Sequence, residues 1–117
     1  PAPTPPPAAA RAFTVYFGLN QSEVGPGGLA ILQAAADTYR AGGAANVQVT
    51  GYADTTGSPG YNERLSLRRA RTVARVLGRM GVPMNAIVIA GRGENELAVP
   101  TPDGVPEPRN RRVTVVE

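Results

Sequence analysis

The chain contains no histidine, no cysteine, no lysine and no tryptophan. Without cysteine or histidine it has no Cys/His metal site, no thiol nucleophile and no imidazole base. No disulfide can form, so cysteine usage says nothing of the redox compartment. Any catalysis would rest on carboxylates, hydroxyls or arginine. No acid other than Asp54 has a predictable place beside it, so a two-carboxylate hydrolase is not supported, and no cofactor or metal is expected. No apolar run approaches the roughly 20 residues of a membrane-spanning helix. A secretory leader pattern is also missing from the start.

What remains is 117 residues, 42% of them hydrophobic, enough for one domain with one modest core. All 12 basic residues are arginine, set against 9 acids, for a net charge of +3. That balance permits an anionic partner without demanding one. Residues 1–10 hold five prolines and four alanines and no charge. Such a segment reads as a semi-rigid polyproline-like linker, here expected over 1–11, and it implies something upstream.

From Phe13 the pattern alternates, which predicts a strand over 12–17. A Gly/Pro cluster at 25–28 breaks it. A helix is expected over 28–41, with Leu29, Leu32, Ala36 and Tyr39 on one stripe and Gly42-Gly43 as its stop. Further elements are expected as a strand over 46–53, a helix over 61–80 ending at Gly81, and strands over 87–90 and 111–116. A long proline-bearing loop fills 94–108. The string βαβαββ predicts an α/β two-layer sandwich, with two helices on one face of a mixed four-stranded sheet.

The helix over 61–80 is the most informative stretch. At about 100° per residue, with Ala70 at zero, Ser66, Val73, Ala74, Leu77 and Met80 cluster within about 80° of it as a core face. Arg64, Arg68, Arg71, Arg75 and Arg79 fall together between about 100° and 180°, a basic stripe. Arg69 is out of phase, near −100° and close to Asn62. It reads either as a snorkelling or ion-paired structural arginine or as a guanidinium held against a pocket. The stripe reads as a solvated face rather than a nucleic-acid site, because no aromatics interleave it and no phosphate loop is present. Asp54 follows the second strand directly, at a strand end where ligands of α/β sheets gather. It reads either as an Asx-turn residue or as one half of a two-charge site with Arg69. The two charges would either grip the ends of a zwitterion or neutralise each other.

Gly51-Tyr52-Ala53-Asp54-Thr55-Thr56-Gly57-Ser58, Tyr61-Asn62, Leu65-Ser66 and Arg68-Arg69-Ala70 together resemble the core motif of the OmpA-like C-terminal domain, the OmpA/MotB peptidoglycan-binding family. Val15-Tyr16-Phe17 with Asn20, Gly91-Arg92-Gly93-Glu94 and Asn110-Arg111-Arg112-Val113 agree, in order, across 12–117. The resemblance implies a periplasmic, non-catalytic domain of a Gram-negative envelope protein. Such a domain holds the meso-diaminopimelate residue of the peptidoglycan stem peptide and tethers the outer membrane, through an upstream anchor, to the cell wall. By the same resemblance Asp54 receives the ligand's ammonium and Arg69 its carboxylate, with Thr56, Asn62 and Arg111 in support. A peptidoglycan-associated lipoprotein or a flagellar-stator protein carries the same module. One position departs: many members have Asp where Gly18 stands, so contacts from that loop are expected from Asn20 or from backbone groups.

Overall fold

The structure, a computed structural model, describes residues 11–42 and 46–117. The expected linker, apart from Arg11, and Gly43 of the expected helix stop lie outside the described residues. The elements run β1 (Ala12–Tyr16), α1 (Pro26–Arg40), β2 (Val47–Gly51), α2 (Pro59–Arg79), β3 (Ile87–Gly91) and β4 (Arg112–Val116). Short 3-10 turns at Met84–Ala86 and Pro108–Asn110 precede β3 and β4. The sheet order is β1-β4-β2-β3, with β4 antiparallel to both its neighbours and β2 parallel to β3. This is the expected two-layer sandwich with a mixed sheet.

That order gathers the site. β1, β2 and β3 all point the same way, so their carboxyl ends share one rim. β4 enters the middle of the sheet from that rim. Arg111, just before β4, therefore meets Phe17 after β1 and Asp54 after β2, while Gly93 after β3 meets Ala53. Backbone bonds close the rim: Phe17 N–H donates to Arg111 O (2.8 Å), Tyr52 N–H to Arg112 O (2.8 Å) and Ala53 N–H to Gly93 O (2.8 Å).

The core lies between sheet and helices. Val15, Val47, Val49, Val113 and Val115 face Leu32, Ala36, Val73 and Leu77, all of them buried. The buried face of α2 also takes in Asn62, Leu65, Arg69 and Val76, wider than the apolar stripe alone. The five stripe arginines are all exposed, as their phase predicts.

The helix starts differ from expectation for one reason. Pro26 and Pro59 stand in the first turn, where the missing N–H has no intrahelical partner and a fixed φ is already helical. Read as breakers, they are starters. Ser58 caps α2, its Oγ accepting from Tyr61 N–H at 3.2 Å. The other end of α2 closes on Gly81 in a left-handed conformation, with Val82 N–H bonding back to Leu77 O at 3.0 Å. Leu29 does not join the buried stripe of α1: it is 40% exposed. Its place against the sheet is taken by Gly28, where a Cβ would stand 2.9 Å from Val15 Cγ1. The backbone of α1 thus approaches β1 too closely for any side chain there.

α2 sits still closer. It crosses the sheet at the paired glycines Gly51 and Gly91. A Cβ on Gly51 would fall 1.8 Å from Ser66 O, and one on Gly91 2.8 Å from Ser66 Oγ. Ser66 Oγ donates to Glu63 O at 2.7 Å and accepts from Gly93 N–H at 2.8 Å. This seat fixes the height and rotation of α2 between Asn62, one turn before Ser66, and Arg69, one turn after it.

Candidate functional site

Asp54 is 2% exposed. Its Oδ1 accepts from the backbone N–H (3.1 Å) and hydroxyl (2.5 Å) of Thr56. Its Oδ2 accepts from Arg111 Nη1 (3.0 Å) and Glu107 N–H (3.3 Å). The Thr56 bond makes an Asx-turn, and the Arg111 bond is an ion pair. Burial opposes the charge on Asp54. The Thr56 hydroxyl, Arg111 and the two backbone donors outweigh it, holding the carboxyl below the usual 3.8. Four donors occupy the roughly four lone-pair sites of a carboxylate, and the long Glu107 contact is the easiest to exchange.

Arg69 is fully buried. Its Nε donates to Gln21 O (2.8 Å), Nη1 to Tyr52 O (3.0 Å) and Nη2 to Gly18 O (3.1 Å). The guanidinium also lies over the Phe17 ring, 5.4 Å from its centroid. No carboxylate pairs with it: the three ion pairs among the described residues belong to Arg40, Arg109 and Arg111. Residues outside the description contain no acid. Burial lowers its pKa to about 10, with Asp54 raising it and Arg111 lowering it further. Arg69 is thus a buried cation solvated by carbonyl dipoles. Among the described residues, two of the five guanidinium N–H groups have no acceptor.

Neither structural reading of Arg69 holds: it does not snorkel to solvent and is not ion-paired. Nor do Asp54 and Arg69 neutralise each other. Asp54 pairs instead with Arg111, whose Nε donates to Phe17 O at 3.0 Å.

Thr56 and Arg111 therefore touch Asp54 directly. Asn62 and Asn20 do not. Asn62 is buried under the Gly57 turn, and its Nδ2 donates to Glu94 Oε1 at 3.3 Å. Asn20 is exposed, in a left-handed conformation with φ 56°, and its Oδ1 accepts from Tyr61 O–H at 3.2 Å. Gly18 contributes its carbonyl to Arg69. A side chain there would meet Gln21 Oε1 at 2.8 Å.

Two residues that sequence reasoning missed organise the surroundings. Thr55 Oγ1 donates to Pro102 O (2.8 Å), and its carbonyl accepts from Gly104 N–H (2.9 Å). Buried Asn110 clamps Val99 through both its N–H and its carbonyl, each at 2.8 Å. Together they pin the long 94–108 loop beside Asp54. A buried Asn after a proline-rich loop is a weak signal, although Asn110 belongs to the quoted motif.

Among known proteins, an outer membrane protein of Gluconacetobacter diazotrophicus is 38% identical over 121 residues, covering 98% of this chain and 31% of that protein. The peptidoglycan-binding protein ArfA of Mycobacterium tuberculosis is 38% identical over 104 residues, covering 87% of this chain and 31% of ArfA. The chain therefore spans about a third of the length of these relatives. The crystal structure of the peptidoglycan-associated lipoprotein of Burkholderia pseudomallei superposes with a TM-score of 0.81 at 26% identity, covering 89% of this chain and 88% of that one. A sequence model of the OmpA family matches residues 16–111, a span that includes every candidate site residue, and the chain belongs to the OmpA family.

Proposed function

We propose that this domain binds peptidoglycan non-covalently through the diaminopimelate of the stem peptide, with no catalytic step. One observation carries the reading. A buried guanidinium without a counter-ion and a buried carboxylate stand at the same rim, and they are not paired with each other. A buried unpaired cation is costly, and a ligand carboxylate at the two free N–H groups of Arg69 would relieve it. The ligand's ammonium would go to Asp54, replacing the long Glu107 contact. Diaminopimelate offers both groups on one distal carbon. The names of two relatives, a peptidoglycan-binding protein and a peptidoglycan-associated lipoprotein, support the ligand class. The outer membrane protein among the relatives supports a cell-envelope setting and an anchor elsewhere in a longer protein.

The test is co-sedimentation with insoluble diaminopimelate-type peptidoglycan. The chain is expected to sediment. Asp54→Asn, which keeps size and the Thr56 contacts but removes the charge, is expected to bind about tenfold more weakly or worse. A folded Asp54→Asn that sediments like wild type would falsify the site assignment.

A further inference from the structure

The ligand site uses only one side of α2. On its solvent-facing side, Arg64, Arg68, Arg71, Arg75 and Arg79 are all exposed. Steps of three and four residues line them up in a row about 22 Å long, at 1.5 Å per residue. None takes part in an ion pair of the described residues, and Arg75 has only a 3.4 Å contact with the Thr72 hydroxyl. Like charges at these spacings repel along a helix. The one acid of α2, Glu63, packs beside Gly93 at the rim. Four of the other acids, Glu94, Glu96, Asp103 and Glu107, lie in the connection between β3 and β4. A modest net charge of +3 thus conceals a strongly basic face.

The row also has an apolar end. Past Arg75 and Arg79 the groove is lined by Val82, Pro83 and Met84, and Met84 is 53% exposed. We propose that this face docks on an anionic phospholipid surface, the arginine forks on lipid phosphates and Met84 at the headgroup boundary. Planar guanidinium groups suit phosphate oxygens. A helix-borne cluster of this size reads as an anionic-lipid contact, and an exposed apolar residue at its end adds interfacial area. A nucleic acid would use aromatic platforms or base-edge contacts, and no aromatic side chain interrupts the row. Because Arg69 is buried and points about 120° around α2 from the centre of the exposed row, wall binding and membrane docking do not compete. The proposal stands on the row alone and not on the peptidoglycan reading.

The 117-residue chain would be sedimented with vesicles of phosphatidylcholine and with vesicles that also carry phosphatidylglycerol, at about 0.1 M salt, where the Debye length is about 10 Å. Binding is expected only to the anionic vesicles and is expected to fall on adding salt. Arg68→Glu with Arg75→Glu should lower it about a hundredfold, while Arg68→Lys with Arg75→Lys should retain most of it. Both pairs should keep the wild-type circular-dichroism spectrum and melting temperature, which reports that they are folded, and wild-type sedimentation with peptidoglycan. Three results would overturn the proposal: no binding of wild type to anionic vesicles, equal binding by the glutamate pair, or a short DNA duplex bound as tightly as the anionic vesicles.

Discussion

Asp54 and Arg69 show how two buried charges at one rim are maintained by different means. Asp54 has a cation and three further donors, so it stays ionised below the usual carboxylate range. A depressed folded pKa gives a stabilising contribution that is complete above about 3.8 and is lost as pH falls through the folded value. Removing the charge with Asp54→Asn leaves Arg111 without its anion, which should cost roughly 3 kcal/mol near pH 6. At an acid pH below the depressed folded pKa of Asp54 wild type loses the same pair, so the two proteins should converge there. Urea midpoints at both pH values measure this, and an unchanged difference would mean that Asp54 contributes no ionic stabilisation. Arg69 is maintained by carbonyls instead. Arg69→Ala would strip the carbonyls of Gln21, Tyr52 and Gly18 of their donor, at about 1–3 kcal/mol for each that water does not reach. Thermal unfolding of that variant should therefore show a marked loss of stability before any ligand is added, and a near-wild-type melting temperature would argue against the buried geometry. The phase of Arg69 in the helix made it conspicuous in the sequence. Its depth did not, because nothing local announces that a loop after β1 will turn its carbonyls inward.

At the scale of elements, α2 is the part on which the site depends. Its register against the sheet is set where Ser66 meets Gly51 and Gly91. Gly51→Ala would place a methyl group 1.8 Å from Ser66 O and force the helix off the sheet. A loss of about 1–3 kcal/mol or more is expected from such overpacking. Peptidoglycan binding should weaken as well, since Asn62 and Arg69 lie one turn to either side of the displaced Ser66. Denaturant unfolding and co-sedimentation of the same variant test both halves, and a variant of unchanged stability would contradict the close contact. Periodicity made the elements legible: every strand and both long helices stand where alternation and the 3.6-residue repeat put them. The helix starts were not legible, because a proline in a Gly-rich stretch reads as a breaker until the first-turn geometry is known. Leu29 leaves its expected stripe for a related reason. A hydrophobic stripe does not reveal that Gly28 brings the backbone itself against β1.

For the whole molecule, the order β1-β4-β2-β3 assembles residues from four separate segments at one edge. Insertion of the last strand into the middle of the sheet brings Arg111 to Asp54 across 57 positions of sequence. No local pattern encodes that strand order, and only the motif resemblance pointed to Arg111. The same architecture leaves the arginine row of α2 exposed to solvent. The central claim is that Asp54 and Arg69 together read a zwitterionic carbon. It is tested most directly on the unmodified protein, by titrating isotope-labelled chain with soluble stem peptides ending in diaminopimelate or in lysine, and following the Asp54 amide and the Arg69 Nε–H resonances. Lysine keeps the distal ammonium but lacks the carboxylate, so Arg69 would remain a buried cation without a counter-ion. The account predicts roughly ten- to hundred-fold weaker binding of the lysine peptide. It also predicts an Arg69 Nε–H shift with the diaminopimelate peptide alone. Equal affinities, with Arg69 unmoved by either peptide, would contradict it.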